Sequence, residues 1–216
     1  MIISQPKPLD ELFTSLKGYS RIFLVGCGEC ATTCKSGGQP ELDKIKALLE
    51  AEGKTILGMC IPSAPCVAAQ IKTGLAKNIK GLRGSEAILV LACGLGVQSV
   101  KDNNRLNQPV IPANNTIFSA VMDAQGNFHE KCSMCAECVL DETAGICPIT
   151  LCPKSLLNGP CGGMDKGKCE VDKEKDCAWV LIYKELEKNN NLGKIREIHK
   201  ERDYKKSSKP HKLIMG

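Results

Sequence analysis

Cysteines at short, regular spacings are the residues of this chain with the clearest chemical potential. Fourteen of the 216 residues are cysteine. Two runs of three stand out, C-x2-C-x3-C at 27–34 and C-x2-C-x2-C at 132–138, and Cys147 and Cys152 are each followed by proline. A triple run with two-residue gaps and a later Cys-Pro is close to the ligand pattern of a [4Fe–4S] cluster. Such clusters transfer single electrons, so the pattern predicts a redox protein.

Zinc is the main alternative to iron. Two C-x2-C pairs at suitable spacing also form zinc ribbons, in which four thiolates hold a purely structural ion. The spacing favours iron–sulfur over zinc in the two triple runs and does not separate the metals for the other C-terminal cysteines. Eight residues separate Cys138 from Cys147, against three in bacterial ferredoxins. The fourth ligand of the second run is therefore open among Cys147, Cys152, Cys161, Cys169 and Cys177.

The start of the chain and its apolar runs indicate a cytoplasmic protein without membrane insertion. Residues 1–8 lack an apolar stretch behind a basic start, and the apolar run at 87–97 is too short to span a bilayer. Thiols stay reduced in the cytoplasm, so dense cysteine there indicates metal rather than disulfides.

The net charge of +5 is concentrated at one end of the chain. Residues 184–216 carry ten lysines and arginines and five acidic residues, which leaves residues 1–183 neutral overall. This basic segment has acids mixed in and lacks interleaved aromatic residues. We therefore expect a charged helical arm and tail, disordered alone, that contacts a partner subunit or solvent rather than nucleic acid.

Residues 1–125 alternate between strand and helix patterns. Short apolar runs predict strands at 21–26, 55–59, 86–92 and 109–111, and apolar spacing predicts helices at 40–52, 67–82 (with a break at Gly74) and 97–104. Such an order is typical of a small parallel sheet with crossover helices, so we predict an α/β, Rossmann-like domain over these residues.

Six thiols belong to this predicted domain. Cys27, Cys60 and Cys93 each follow a predicted strand, and the carboxyl ends of parallel strands form the edge where such sheets hold ligands. Cys30, Cys34 and Cys66 lie in the adjoining loops. Because six thiols exceed the needs of one four-ligand site, we expect four of them to bind metal, and the spacing does not say which.

Residues 126–183 have a different composition, with eight cysteines among many glycines and prolines and little periodic apolar pattern. We predict a loop-rich, cysteine-rich cluster domain that depends on metal for folding and has enough thiols for two sites of four. A helix over 177–188 follows. No catalytic set and no nucleotide-binding loop stands out in the chain. We expect His129 to be a surface residue rather than a metal ligand.

Several segments resemble a known family. LNGPCGG (157–163), GKCEV (167–171) and CAWVLIYKEL (177–186) are similar to the cysteine-rich domain found with methylenetetrahydrofolate reductases of anaerobes. In acetogenic bacteria this domain occurs as a separate small iron–sulfur subunit of the MetV type. The N-terminal segments VGCGECATTCKSGG (25–38), LACGLGVQS (91–99) and PANNTIFSA (112–120) also fit, so the resemblance covers nearly the whole chain.

The resemblance implies a role in the one-carbon metabolism of the Wood–Ljungdahl pathway. The partner would be a flavin-bearing TIM-barrel subunit that reduces methylene- to methyl-tetrahydrofolate. A barrel needs about 250 residues, so we expect both barrel and flavin on that partner. This chain would receive electrons from ferredoxin or a larger redox complex and pass them to the flavin through [4Fe–4S] clusters. We expect two clusters, and the sequence leaves a number from one to three open. A zinc-binding scaffold that anchors the flavoprotein is the alternative.

Matching positions also give the ligands that the resemblance implies. Cys60 is the N-terminal cysteine that matches least well. The N-terminal ligands would come from Cys27, Cys30, Cys34, Cys66 and Cys93, and the C-terminal ligands from Cys132, Cys135, Cys138, Cys147, Cys152, Cys161, Cys169 and Cys177.

Overall fold

The computed structural model describes residues 1–198 and 200–215. The chain forms two compact units, Met1–Phe118 and Ser119–Gly216, whose boundary falls inside one strand. The first unit contains β1 (Ile2–Pro6), α1 (Leu9–Ser15), β2 (Arg21–Val25), α2 (Cys30–Thr33), α3 (Gln39–Ala51), β3 (Thr55–Cys60), α4 (Ala68–Lys77), α5 (Ile79–Gly84), β4 (Ala87–Val90), α6 (Gly94–Asn103), β5 (Val110–Pro112) and the start of β6 (Asn114–Met122).

A four-stranded parallel sheet forms the centre of the first unit. Its strands lie in the order β3-β2-β4-β5. The two inner strands, RIFLV and AILV, are almost continuously apolar, and Ile22–Val25 and Ala87–Val90 are fully buried. This is the composition expected of strands covered by helices on both faces.

Helices cover both faces of this sheet. Ile71 and Leu75 of α4, Leu82 of α5 and Val100 of α6 belong to one core cluster, with Phe23 of β2. The opposite cluster includes residues of α1 and α3, namely Leu12, Leu42 and Leu49. The molecule is therefore mixed α/β, with a layered parallel sheet in the first unit.

A second, three-stranded sheet has the order β1-β6-β7, where β7 is Phe128–Glu130. Ala120 of β6 pairs with Glu130 and Met122 pairs with Phe128, so β6 and β7 form an antiparallel hairpin. Gly126 supplies the turn between them with a φ of 87°, a left-handed conformation that glycine adopts without strain.

The second unit contains little regular structure beyond this hairpin. It has a short helix α7 (Pro148–Leu151), the longer α8 (Ala178–Lys188) and two 3-10 turns, Leu192–Arg196 and Tyr204–Ser207. Its small apolar core centres on Trp179, Ile182 and Leu186 of α8. Of the helices in residues 1–198 and 200–215, none has the length and apolar character to cross a membrane.

The predicted strands and helices of the sheet are found within a few residues of their expected bounds. The stretch predicted as one helix over 67–82 forms two, α4 and α5, and the break falls at Asn78 rather than Gly74. Asn78 ends α4, and its side-chain amide donates to the Gly74 carbonyl at 2.9 Å. Strand β1 and helix α1 were missing from the prediction, since both are short and weakly periodic.

One glycine should be essential to the loop that follows β2. A Cβ atom at Gly37 would lie 1.9 Å from the Leu91 carbonyl oxygen, a backbone atom that cannot rotate away. We expect Gly37→Ala to lower the free energy of unfolding by about 1–3 kcal/mol, the usual cost of overpacking. Chemical denaturation of the anaerobically purified protein measures the change.

Gly94→Ala is the matched control. Its added methyl would meet only Thr116 Oγ1, at 3.4 Å, an ordinary contact. Equal denaturation midpoints for the two variants would contradict the assigned packing of the loop.

Candidate metal centres

Three cysteines meet at the carboxyl edge of the parallel sheet. Cys27 lies just after β2, Cys30 begins α2, and Cys93 is the residue that precedes α6. Burial raises the pKa of the Cys27 thiol, backbone hydrogen bonds partly offset this, and the nearby Cys30 and Cys93 thiols raise the pKa further. The sulfurs of Cys27 and Cys30, from one loop, and of Cys93, from a distant stretch of sequence, therefore lie close enough to interact electrostatically.

The order of the strands explains this position. The chain passes from β2 outward to β3 on one side, and from β4 outward to β5 on the other, so the connections diverge between β2 and β4. Open parallel sheets hold ligands at such a switch point, outside the carboxyl ends of the strands. Cys27 and Cys93 stand on either side of it.

The loop after β3 lies against the loop after β2 and brings Cys66 to the same edge. The Gly28 N–H donates to the Pro62 carbonyl at 2.9 Å, and Ser63 Oγ donates to Glu29 Oε1 at 2.7 Å. Pro65 packs beside Gly96 in the first turn of α6, where an added Cβ would lie 3.1 Å from Pro65 Cγ. Cys66, the next residue, is exposed.

Two other cysteines of the first unit have different surroundings. Cys60 is buried in the core with Ile71 and Leu75 of α4, and desolvation alone raises its pKa to about 12. Gly74 lies directly beside it, since an added Cβ there would be 3.4 Å from Cys60 Sγ. The Cys34 thiol donates to the Ile2 carbonyl of β1 at 3.9 Å.

In the second unit, Cys132, Cys135 and Cys138 occupy a loop that turns sharply between each pair. Met134 and Ala136 have φ of 54° and 64°, which is uncommon for residues other than glycine. The Met134 N–H donates to Cys132 Sγ at 3.4 Å. Partial burial raises the pKa of Cys135, but a backbone hydrogen bond from Glu137 and the hydrogen bond and charge of Arg202 outweigh it and lower the pKa. Thiolate is the form in which cysteine binds metal, so this loop suits ligation.

Four further cysteines line one small apolar cavity of about 20 Å³. They come from the end of α7, two irregular loops and the residue before α8, and they are Cys152, Cys161, Cys169 and Cys177. A backbone hydrogen bond from Gly163 lowers the pKa of Cys161, and the nearby Lys154 contributes in the same direction. Trp179 closes one side, and its indole N–H donates to the Leu156 carbonyl at 3.0 Å.

The size of this cavity bears on what it can hold. A single water molecule needs roughly 10–15 Å³, so the space between the side chains as they stand is about the size of one water molecule or ion. Four thiolates around one ion is the donor set of a structural zinc site.

Left-handed glycines shape the loops around this cavity. Gly159, Gly162 and Gly167 have φ of 97°, 79° and 84°, values that side-chain-bearing residues rarely adopt. The Cys177 N–H donates to the Gly167 carbonyl at 2.8 Å and ties the GKCEV loop to the start of α8. These conformations account for three of the four glycines in LNGPCGG and GKCEV.

Two predicted residues lie apart from these groups. Cys147 precedes α7, and its thiol lies 3.6 Å from Thr150 Oγ1. His129 pairs with Asp123 across the β6–β7 hairpin at 2.8 Å and lowers the pKa of that carboxyl.

Within residues 1–198 and 200–215, no three His, Cys, Asp or Glu side chains are grouped tightly enough to hold a metal ion as they stand. The thiols at the sheet edge, those of the loop 132–138 and those around the cavity therefore lie near one another without converging on one point.

A parallel α/β unit with thiols at its switch point is thus followed by a cysteine-rich unit with two further thiol groups. Residues 111–205 match the family model described as the C-terminal part of methylene-tetrahydrofolate reductase. This links the second half of the chain to that reductase. Neither the curated proteins nor the solved structures contain a match.

Arg202 and Lys154 are polar residues near thiols that the sequence did not single out. Lys154 had one available signal, its position next to a Cys-Pro pair. Arg202 had none, because it lies 67 residues from the Cys135 carbonyl that it contacts.

In the first unit, Cys27 and Cys93 should bind metal, whereas Cys60 should serve only as a core residue. We expect Cys27→Ser and Cys93→Ser to lose the metal bound by this unit, and Cys60→Ala to retain it at the cost of roughly 1 kcal/mol of stability. Metal analysis of anaerobically purified variants gives the answer. Equal metal loss in Cys60→Ala and Cys27→Ser would contradict the division.

Proposed function

We propose that this chain is the electron-transfer subunit of a methylenetetrahydrofolate reductase complex. Electrons from ferredoxin or a larger redox complex pass through its iron–sulfur clusters to the flavin of a TIM-barrel partner, which reduces methylene- to methyl-tetrahydrofolate. The main support is the meeting of Cys27, Cys30 and Cys93 at the switch point of the sheet, in a chain whose residues 111–205 match a reductase family.

The first cluster is assigned to Cys27, Cys30, Cys66 and Cys93. The first, second and fourth of these interact electrostatically, and the loop that carries Cys66 is hydrogen-bonded to the loop that carries Cys27. Cys34 is the alternative fourth ligand, since it follows Cys30 by four residues on the same short helical turn. A [4Fe–4S] cluster supplies one-electron transfer when it is bound.

The second cluster is assigned to Cys132, Cys135, Cys138 and Cys147. The left-handed turns at Met134 and Ala136 and the backbone donor to Cys132 support the first three positions. Cys147 is assigned as the fourth ligand by elimination, because the four remaining thiols of this unit line a different cavity.

The third group, Cys152, Cys161, Cys169 and Cys177, is assigned to a structural zinc ion. Its cavity is of single-ion size, and Cys177 joins it directly to the small core around Trp179. Zinc has no redox chemistry, so these residues contribute folding energy and hold the ends of α7 and α8 in place.

The residues of this chain hold the transferred charge rather than perform bond chemistry. Burial of Cys27 and Cys93 shields one side of the first site from water, whereas Cys66 is exposed; solvent exposure and neighbouring hydrogen bonds both set the potential of such a site. The Cys93 N-cap position places the first amides of α6 beside the same site. The partner supplies the flavin, the folate pocket and every proton transfer.

Spectroscopy of the anaerobically purified chain tests the proposal. We expect a brown protein with about eight iron ions and eight sulfide ions per chain, which is the content of two [4Fe–4S] clusters. Electron paramagnetic resonance should show reduced clusters after dithionite treatment, and the reduced chain should bleach the flavin of the partner in stopped-flow mixing. A colourless chain that holds only zinc would refute the redox role.

A single substitution should distinguish the proposed zinc site from the proposed iron sites. We expect Cys169→Ala to lose one zinc ion per chain with its iron retained, because Cys169 lines the small cavity and belongs to neither proposed cluster. Inductively coupled plasma mass spectrometry reports both metals in one sample. Loss of iron with zinc intact would reverse the assignment of the two C-terminal groups.

A zinc-only scaffold that anchors the flavoprotein is the second candidate. The single-ion cavity favours it for the second unit. It predicts that the complex stays active when this chain is loaded with zinc alone, whereas the electron-transfer role predicts a loss of flavin reduction under that condition.

A further inference from the structure

The basic segment 200–207, here called the tail segment, contacts the cysteine loop 132–138 within the second unit. Arg202 Nη2 donates to the Cys135 carbonyl at 2.7 Å, and Nη1 donates to the Glu137 carbonyl at 3.2 Å. Lys206 forms an ion pair with Glu137 at 3.1 Å. Two cations from one end of the chain are thus fixed against this loop.

Arg202 does more than balance a surface charge. Its guanidinium is partly buried and donates hydrogen bonds to the backbone carbonyls on either side of Ala136, while its charge also lowers the pKa of the Glu137 carboxyl. The planar fork of arginine suits two parallel acceptors, which a lysine ammonium cannot reach together. The position therefore holds a permanent positive charge beside the Cys135 sulfur.

We propose that Arg202 raises the reduction potential of the cluster held by Cys132, Cys135 and Cys138, and that it fixes the conformation of this loop. The inference rests on the proposed function, since it requires a cluster at these thiols. Reduction adds one electron to the site and moves no proton, because arginine stays protonated throughout. A nearby cation stabilises the more negative, reduced state, and net charge and hydrogen bonding are the protein's means of setting cluster potentials.

The test is a redox titration monitored by electron paramagnetic resonance on the full chain, purified anaerobically. In Arg202→Gln we expect the ratio of reduced to oxidised cluster at a fixed potential to fall about tenfold, a shift of about 59 mV for one electron. Arg202→Lys keeps the charge and loses the fork, so its shift should be less than half as large. Lys205→Gln, which removes a neighbouring charge of the tail segment, should change the ratio less than twofold.

The site of the shift identifies its cause. The shift must affect the signal that disappears in Cys132→Ser and leave the other cluster unchanged. An unaltered potential in Arg202→Gln with full iron content would overturn the tuning role. So would loss of the cluster in both Arg202→Gln and Arg202→Lys, which would make Arg202 structural only. If the wild-type chain holds no reducible cluster, the proposed function fails first, which is a distinct result.

Discussion

The close packing of β2 against β4 is the constraint on which the first unit depends. Both strands are parallel, adjacent and buried on both faces, so a slip of one residue would exchange side chains between the two core clusters and disrupt the packing of both. Val25 pairs with Val90 at the end of this register, and the chains leave the sheet side by side. Cys27 and Cys93 follow within three residues of that pair. The position of the thiols is therefore a consequence of core packing and not of the loops alone.

Much of this unit could be predicted from the sequence because its signals are local. The run at 21–26 and the apolar spacing at 40–52 each specify an element without reference to the rest of the chain, and Gly53, with φ of 76°, ends α3 as expected. The cysteine runs were likewise visible. The strand order was not, and it decides which thiols meet.

Cys60 illustrates the difference. By sequence it resembles Cys27 and Cys93, since each follows an apolar strand. Strand β3, however, lies at the outer side of β2, away from the switch point, and helix α4 covers its last residue. Gly74 in α4 makes room for the sulfur, so a residue expected to break the helix instead serves packing. Only the tertiary arrangement separates this core thiol from its neighbours.

The second unit has a much smaller apolar core to stabilise it. Three residues of α8 supply most of its buried apolar core, and long loops with left-handed turns surround it. So small a core offsets little of the conformational entropy that ordering such loops costs. The charge of the chain is concentrated in the same unit, in a segment whose sequence has no apolar period. The basic segment is ordered by contacts such as the hydrogen bonds of Arg202 to two backbone carbonyls. No sequence pattern predicts these contacts. Contacts between the basic tail and the cysteine loop thus add, in this unit, to the stabilisation that its small apolar core provides.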